Sequence, residues 1–178
     1  MGETLKAIGA RRSIRSYTDQ SVSRETLDKI VAAGDNAPLA GAISIAVITD
    51  KDYLAKIDQA VFDFMQNSGV PFMVERSSLP GYRPLYGAPA LIVVSSDPER
   101  GTANAAAAAT TMTIAATDLG LGSCYVGSPT RVLQDAELGA PLRQPEGFIP
   151  IAGVLVGYTD DPAKFSRDRA VTGVTYIE

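Results

Sequence analysis

The chain has no histidine, no tryptophan and a single cysteine, Cys124. Without imidazole, neither a Ser-His-Asp triad nor a Cys-His pair can activate a nucleophile. One thiol cannot close an intrachain disulfide, and with no His it cannot complete a tetrahedral zinc set. No pair of carboxylates stands at a meaningful spacing for acid–base work; Asp160-Asp161 reads as a solvated turn. Long apolar runs are missing too. The longest weakly polar stretch, residues 103–116, is Ala- and Thr-rich and too short to span a bilayer. Positive charge is in deficit, with 16 Lys and Arg against 20 Asp and Glu, so nucleic acid and anionic membrane are not expected partners. The first residues lack the cationic start and apolar run of a secretory signal, and Lys6 stands where a myristoylation motif takes Ser or Thr. A soluble, cytoplasmic protein is the expectation.

What is present is ordinary globular material. The 178 residues are 46% hydrophobic and 20% charged, enough to bury a core without staples and far from the composition of disorder. No repeat and no long linker divides the chain, so one domain over residues 1–178 is expected. Leu5, Ile8 and Gly9 suggest a short first helix. Ser23 is a good N-cap, with Glu25 in the first turn and Leu27, Ile30 and Val31 on one face; that helix should stop between Gly34 and Pro38. Residues 43–49 read as a strand. Asp50 caps a helix whose apolar face is Leu54, Ile57, Val61 and Phe64. Residues 67–87 are broken by Gly and Pro and read as loop with at most one short helix.

Residues 88–95 form a near-continuous apolar run, as in a buried strand. Residues 104–119 are rich in alanine, stop at Gly120 and carry almost no polar face, which places that helix centrally in a core or in a subunit interface. Residues 123–126 and 151–158 read as strands, 131–138 as one short helix, and the tail 171–177 has strand composition. Helices and strands alternate irregularly, so the class is α+β rather than a repeated βαβ.

Three segments can carry chemistry. Arg11, Arg12 and Arg15 put three guanidinium groups within five residues, with Ser13 and Ser16 beside them. Arg forks match phosphate oxygens and Ser adds a neutral donor, although the same run also suits a solvated turn. Lys164, Arg167 and Arg169 form a second cluster that could close on the same anion, or lie on the surface. Gly120, Gly122 and Gly127 flank Ser123-Cys124-Tyr125-Val126 and allow a flat ligand close to the backbone; a helix stop followed by a tight turn is the plainer reading. Cys124 has no activating base and reads as a buried structural thiol. Phe72, Tyr82 and Tyr86 are candidates for a pocket wall or for core.

Together these pieces resemble the nitroreductase family of FMN-dependent oxidoreductases. The matching pieces are Arg11-Arg12-Ser13-Ile14-Arg15-Ser16-Tyr17, Asn36-Ala37-Pro38 and Gly87-Ala88-Pro89-Ala90-Leu91-Ile92-Val93-Val94. The stretch from Ala115 to Cys124, then Val156-Gly157-Tyr158, and Arg167 with Arg169 follow in family order. The resemblance implies an α+β fold with a central, mostly antiparallel sheet flanked by helices, assembled as an intertwined homodimer with FMN at the interface. It implies that Arg11, Arg12, Ser13 and Arg15 hold the FMN phosphate and ribityl chain, joined by Arg169, with Arg167 near the ring. Tyr125, Val126 and Gly127 would lie over one flavin face, and Pro38 and Leu39 would come from the partner subunit. The implied activity is a ping-pong transfer of hydride from NAD(P)H, through flavin N5, to an electron-poor nitroaromatic, quinone or activated alkene. No catalytic side chain and no metal is required, in keeping with a chain that has no histidine. One departure stands out. Where family members often continue after the Pro with Ser, Asn and Gln, this chain has Leu39-Ala40-Gly41-Ala42. The missing amides also admit a flavin-binding protein for storage or sensing without turnover.

Overall fold

Residues 2–99, 101–160 and 173–178 are described in the computed structural model. Lys164, Arg167, Arg169 and the start of the C-terminal tail lie outside the described residues. Four strands form one antiparallel sheet among those described: β1 (Ile43–Ile48), β2 (Ala90–Ser96), β3 (Gly122–Val126) and β4 (Ile149–Gly157), in the spatial order β1-β2-β4-β3. β2 is buried along its whole length, which explains its unbroken apolar run. Its alternating side chains feed two cores. Ala90, Ile92 and Val94 face one side, Leu91 and Val93 the other.

The first face is covered by α2 (Arg24–Asp35) and α5 (Gly101–Asp118), through Leu27, Ile30, Ala105, Ala109 and Met112. The second is covered by α3 (Lys51–Gln66), through Ile57, Val61 and Met65. The expected caps are in place. Ser23 Oγ accepts from Thr26 N–H at 3.2 Å, and Asp50 Oδ1 accepts from Tyr53 N–H at 2.8 Å. α5 ends in a Schellman turn. Leu121 N–H donates to Ala116 O at 2.8 Å and Gly120 N–H to Thr117 O at 3.1 Å, with Gly120 at φ 76°.

Several expectations need correction. The buried stripe of α3 closes on Met65, not Phe64; Phe64 lies on the flank and is exposed, because a 4-residue step from Val61 lands on Met65. α5 begins at Gly101. One of its sides is packed on the sheet, while Thr110 is exposed and Thr111, Ile114 and Ala115 are half-buried. In α1 (Glu3–Ala10) the buried residue is Ala7, and Leu5 and Ile8 face outward. Residues 67–87 do hold one short helix, α4 (Pro71–Ser77). The single helix expected over 131–138 is two: α6 (Ser128–Val132), opened by Pro129, and α7 (Ala136–Gly139). Asp135 divides them by accepting from the N–H groups of Glu137 and Leu138 at 3.0 and 2.9 Å. The expected C-terminal strand does not form over residues 173–178. Tyr176 is 83% exposed and Ile177 96%, and among the described residues neither pairs with a strand.

Residues 11–18 meet the outer edge of β3 at Ser123 and pass on to the end of β4. Ser13 bridges Ser123 in parallel register, Ile14 N–H donates to Ser123 O at 2.9 Å, and Thr18 N–H donates to Tyr158 O at 2.9 Å. Two glycines paired in the β3–β4 ladder make room for this strap. A Cβ on Gly122 would lie 3.0 Å from Ile14 Cγ1. A Cβ on Gly157 would lie 2.6 Å from Pro89 Cδ and 2.9 Å from the Tyr17 ring. Both neighbours of Gly157 are rigid rings. Gly157→Ala is therefore expected to destabilise by about 1–3 kcal/mol, lowering the thermal midpoint by roughly 2–12 °C. A midpoint within 1 °C of the parent, read by circular dichroism, would show that the strap yields without cost.

Candidate functional site

The strap sorts its own side chains. Extended chain alternates, so Arg11, Ser13 and Arg15 point one way and Arg12 and Ile14 the other. Ile14 is buried, and Arg12 lines a separate small cavity of about 220 Å³ with Ile14, Thr117 and Leu121. Arg12 Nη1 donates to Gly9 O at 2.6 Å and Arg11 O at 2.9 Å. On the opposite side, Arg15, Arg11 and Ser13 all act on the Cys124 thiol. Within one chain Arg15 lines the Cys124 cavity and Arg12 the separate smaller one.

Cys124 sits at the foot of a cavity of about 600 Å³, a size that suits a small-molecule or cofactor site. Tyr125, Val126 and Gly127, at the end of β3, form one wall. Arg15 enters from the strap, and Phe64 and Met65 from α3. α4 contributes Phe72, Met73 and Arg76, and the loop after it brings Tyr82 and Tyr86. Phe72 is 66% exposed, so it belongs to the cavity rim and not to the core. A second space of about 630 Å³, lined by Tyr17, Asp19, Leu79 and Gly81, shares Arg15, Arg76, Tyr82 and Tyr86 with the first, so a carboxylate does stand in the second space that these two arginines line.

Arg76 and Arg131 are the cationic members of this site that the sequence reading missed, and Arg76 is the more firmly held. Arg76 Nε donates to Tyr82 Oη at 3.3 Å and its Nη2 to Tyr86 Oη at 2.9 Å. The guanidinium also lies 5.5 Å from the centroid of the Tyr82 ring, and the two tyrosine rings meet edge to face at 6.2 Å. Tyr86 takes φ 54°, an uncommon conformation for a bulky residue. The Tyr82 hydroxyl, foremost, raises the guanidinium's already high pKa. Burial pushes the Tyr82 phenol up, and the Arg76 donor draws it partly back. The cavity wall holds Arg15, Arg76 and Arg131 and no carboxylate. Among the described residues none of the three has a carboxylate partner within ion-pair distance.

Pro38 and Leu39 are not at this cavity within one chain. Leu39 packs against the α2–α5 core on the other face of the sheet, and Pro38 is exposed. Ala40 N–H donates to Asn104 Oδ1 at 2.9 Å, which ties that turn to α5. No group of carboxylates and thiol among the described residues is arranged to hold a metal ion. None of their helices is long and apolar enough to cross a membrane.

A family model described as the nitroreductase family matches residues 8–158. The chain belongs to the nitroreductase family. An Archaeoglobus fulgidus protein, provisionally named an NADH dehydrogenase/NAD(P)H nitroreductase, is 33% identical over 93% of this chain and 90% of its own length. An FMN reductase [NAD(P)H] of Bacillus subtilis is 27% identical over 90% of this chain and 68% of its own. Among solved structures, a nitroreductase with bound FMN from Bacteroides fragilis superposes with a TM-score of 0.87 at 27% identity, each chain fully covered. Another with bound FMN, from Desulfitobacterium hafniense, gives 0.88 at 26%. These nitroreductase structures share the α+β fold with its antiparallel sheet.

Burial pushes the Cys124 thiol above its ordinary value, and the nearby Arg15, Arg11 and Arg76 cations lower it by less than burial raises it. A raised pKa disfavours the thiolate, and Sγ lies 3.6 Å from Tyr125 O as a donor. Iodoacetamide at pH 8 is expected to label folded protein at least tenfold more slowly than unfolded protein. Labelling at equal rates would mean that the thiolate is present and reachable.

Proposed function

We propose that this chain is an FMN-dependent NAD(P)H oxidoreductase that acts on electron-poor small molecules such as nitroaromatics, quinones or activated alkenes. The reading is carried by one observation: a cavity walled by Tyr125, Val126 and Gly127 and edged by Arg15, in a chain of this family. The donor set fits FMN. Arg11, Arg15 and the Ser13 hydroxyl gather on one side of the strap, where an anionic phosphate and a hydroxylated chain need charged and neutral donors. Flat aromatic and thioether side chains, Phe72, Met73 and Tyr82, suit a planar ring. When bound, FMN supplies a two-electron relay in a ping-pong cycle, taking hydride from NAD(P)H and passing it to the acceptor. The protein's part is to bind, orient and shield; Arg15 and Arg76 favour negative charge in the cavity. Arg12, Arg167 and Arg169 are proposed as further contacts to the cofactor, and the single FMN-binding domain as residues 1–178.

The protein is proposed to work as a homodimer in the cytoplasm. The outer side of α5, with Thr110, Ile114 and Ala115, together with outward-facing Leu5 and Ile8, offers the small and apolar surface that a second copy can cover. In that assembly Pro38 and Leu39 reach the partner's flavin, and the tail gains a strand to pair with. Light scattering during size exclusion should give a dimer that persists at micromolar concentration. Thr110→Arg, on the exposed side of the helix, should shift it towards monomer at least tenfold. A flavin-loaded monomer of the unaltered chain would sink the shared-site reading.

For the cofactor, an absorbance spectrum and mass identification of the released molecule should find FMN, and anaerobic NADH or NADPH should bleach it. Flavin that stays oxidised under both nucleotides would return the storage reading. Arg11→Ala combined with Arg15→Ala should weaken FMN binding at least about a hundredfold, since each charge-assisted contact contributes roughly 1.5–3 kcal/mol. Undiminished flavin content after dilution and gel filtration would show that these two arginines are only surface charge.

A further inference from the structure

We propose that the cavity selects planar aromatic molecules that carry an anionic substituent, with Arg76 as the residue that determines this specificity. The inference rests on the reading that acceptors bind in this cavity. Arg76 is pre-organised: two phenols and one ring face hold it, at 3.3, 2.9 and 5.5 Å. Those two hydrogen bonds use one N–H on Nε and one on Nη2. The remaining N–H groups, including both on Nη1, have no acceptor among the described residues. Arg15 and Arg131 add two further cations to the same wall, and none of the residues lining that cavity is a carboxylate. This is unusual in a chain whose net charge is −4.

A neutral ligand would leave that positive field uncompensated, whereas a carboxylate or phosphate would meet a fixed donor fork. Phe64, Phe72 and Tyr82 supply the apolar surface for the ring that bears it. Two sources share this chemistry: aromatic carboxylates, and aromatic phosphates such as a free flavin nucleotide. A charge-assisted contact of this kind is worth about ten- to a hundredfold in affinity.

The test is calorimetric binding to the protein as purified, with its flavin, using 4-nitrobenzoate, its neutral isostere 4-nitrobenzamide, and 1-naphthyl phosphate. The benzoate should bind at least tenfold more tightly than the benzamide, and Arg76→Gln should reduce that ratio below threefold. Arg76→Lys keeps the charge and loses the fork, and should give an intermediate ratio; it carries the test if the Gln variant does not fold. Tighter binding of the naphthyl phosphate points to nucleotides as the source, tighter binding of the benzoate to carboxylates. Equal affinity for benzoate and benzamide in the unaltered protein overturns the proposal. So does an Arg76 variant that loses both ligands equally, or loses them together with its flavin, because Arg76 would then serve the fold or the cofactor. An anion preference that holds in protein whose flavin no nicotinamide reduces would defeat the oxidoreductase reading and leave this one standing.

Discussion

Ile14 fixes the site. Its side chain is 2% exposed and seated against Gly122, and its N–H joins the sheet through Ser123 O. Burying an isoleucine contributes roughly 1.5–3 kcal/mol, more than a solvated arginine can gain from any one conformation of an unanchored turn. Once that residue is down, alternation along extended chain leaves no choice for its neighbours. Arg15 must stand on the cavity side and Arg12 on the other. The strap also occupies the outer edge of β3 at Ser123, where a ladder group would otherwise be open to a second chain. One packing event therefore closes a sheet edge and aims a guanidinium.

The cavity's electrostatics follow from that placement and from Arg76. Of the three arginines in the wall, Arg76 is held by neutral groups, two phenol oxygens and a ring face, rather than by a carboxylate. A carboxylate there would cancel the field. Phenol dipoles hold the guanidinium in place and leave its charge available to a ligand. The same cations pull on Cys124, yet desolvation prevails and the thiol stays protonated. A positive wall next to a neutral thiol suits a site that binds anions and performs no thiolate chemistry.

Much of this was legible in the sequence because it depends on neighbours in the chain. Ser23, Asp50 and Gly120 mark helix ends through bonds that span three to five positions, and those bonds are present. The apolar run of β2 reads directly as burial on both faces. The order of the strap, the Asn36-Ala37-Pro38 turn and the segment ending at Cys124 was enough to indicate the family. What was not legible depends on contacts distant in sequence. Phe64 and Met65 both fit an apolar stripe, and only the sheet decides that Met65 faces it. Arg76 is one charge on a short helix. Its partners at positions 82 and 86 come together only because the loop turns back, with Tyr86 in the left-handed region. The spacing of a cation and two tyrosines was the available signal, and the tyrosines alone had been singled out.

α5 joins the two halves of the problem. Its packed side, Ala105, Ala108, Ala109 and Met112, forms the first core, and alanine there lets the helix lie close to the sheet. Larger residues would push it outward and shift everything clipped to it. Asn104, 6% exposed, is one such clip: its Oδ1 takes the Ala40 N–H and holds the 38–41 turn against the helix. Leu39 is drawn into the core and Pro38 is left outside. The family's usual amide side chains are missing from this turn, so what it can offer a partner's cofactor is backbone, an exposed proline ring and the uncovered part of Leu39. Their placement depends on how closely α5 lies to the sheet. In the proposed dimer, a volume change at Ala108 would therefore be felt at the partner's cavity as well as in its own core, through the Asn104 clip rather than through any residue that touches the ligand.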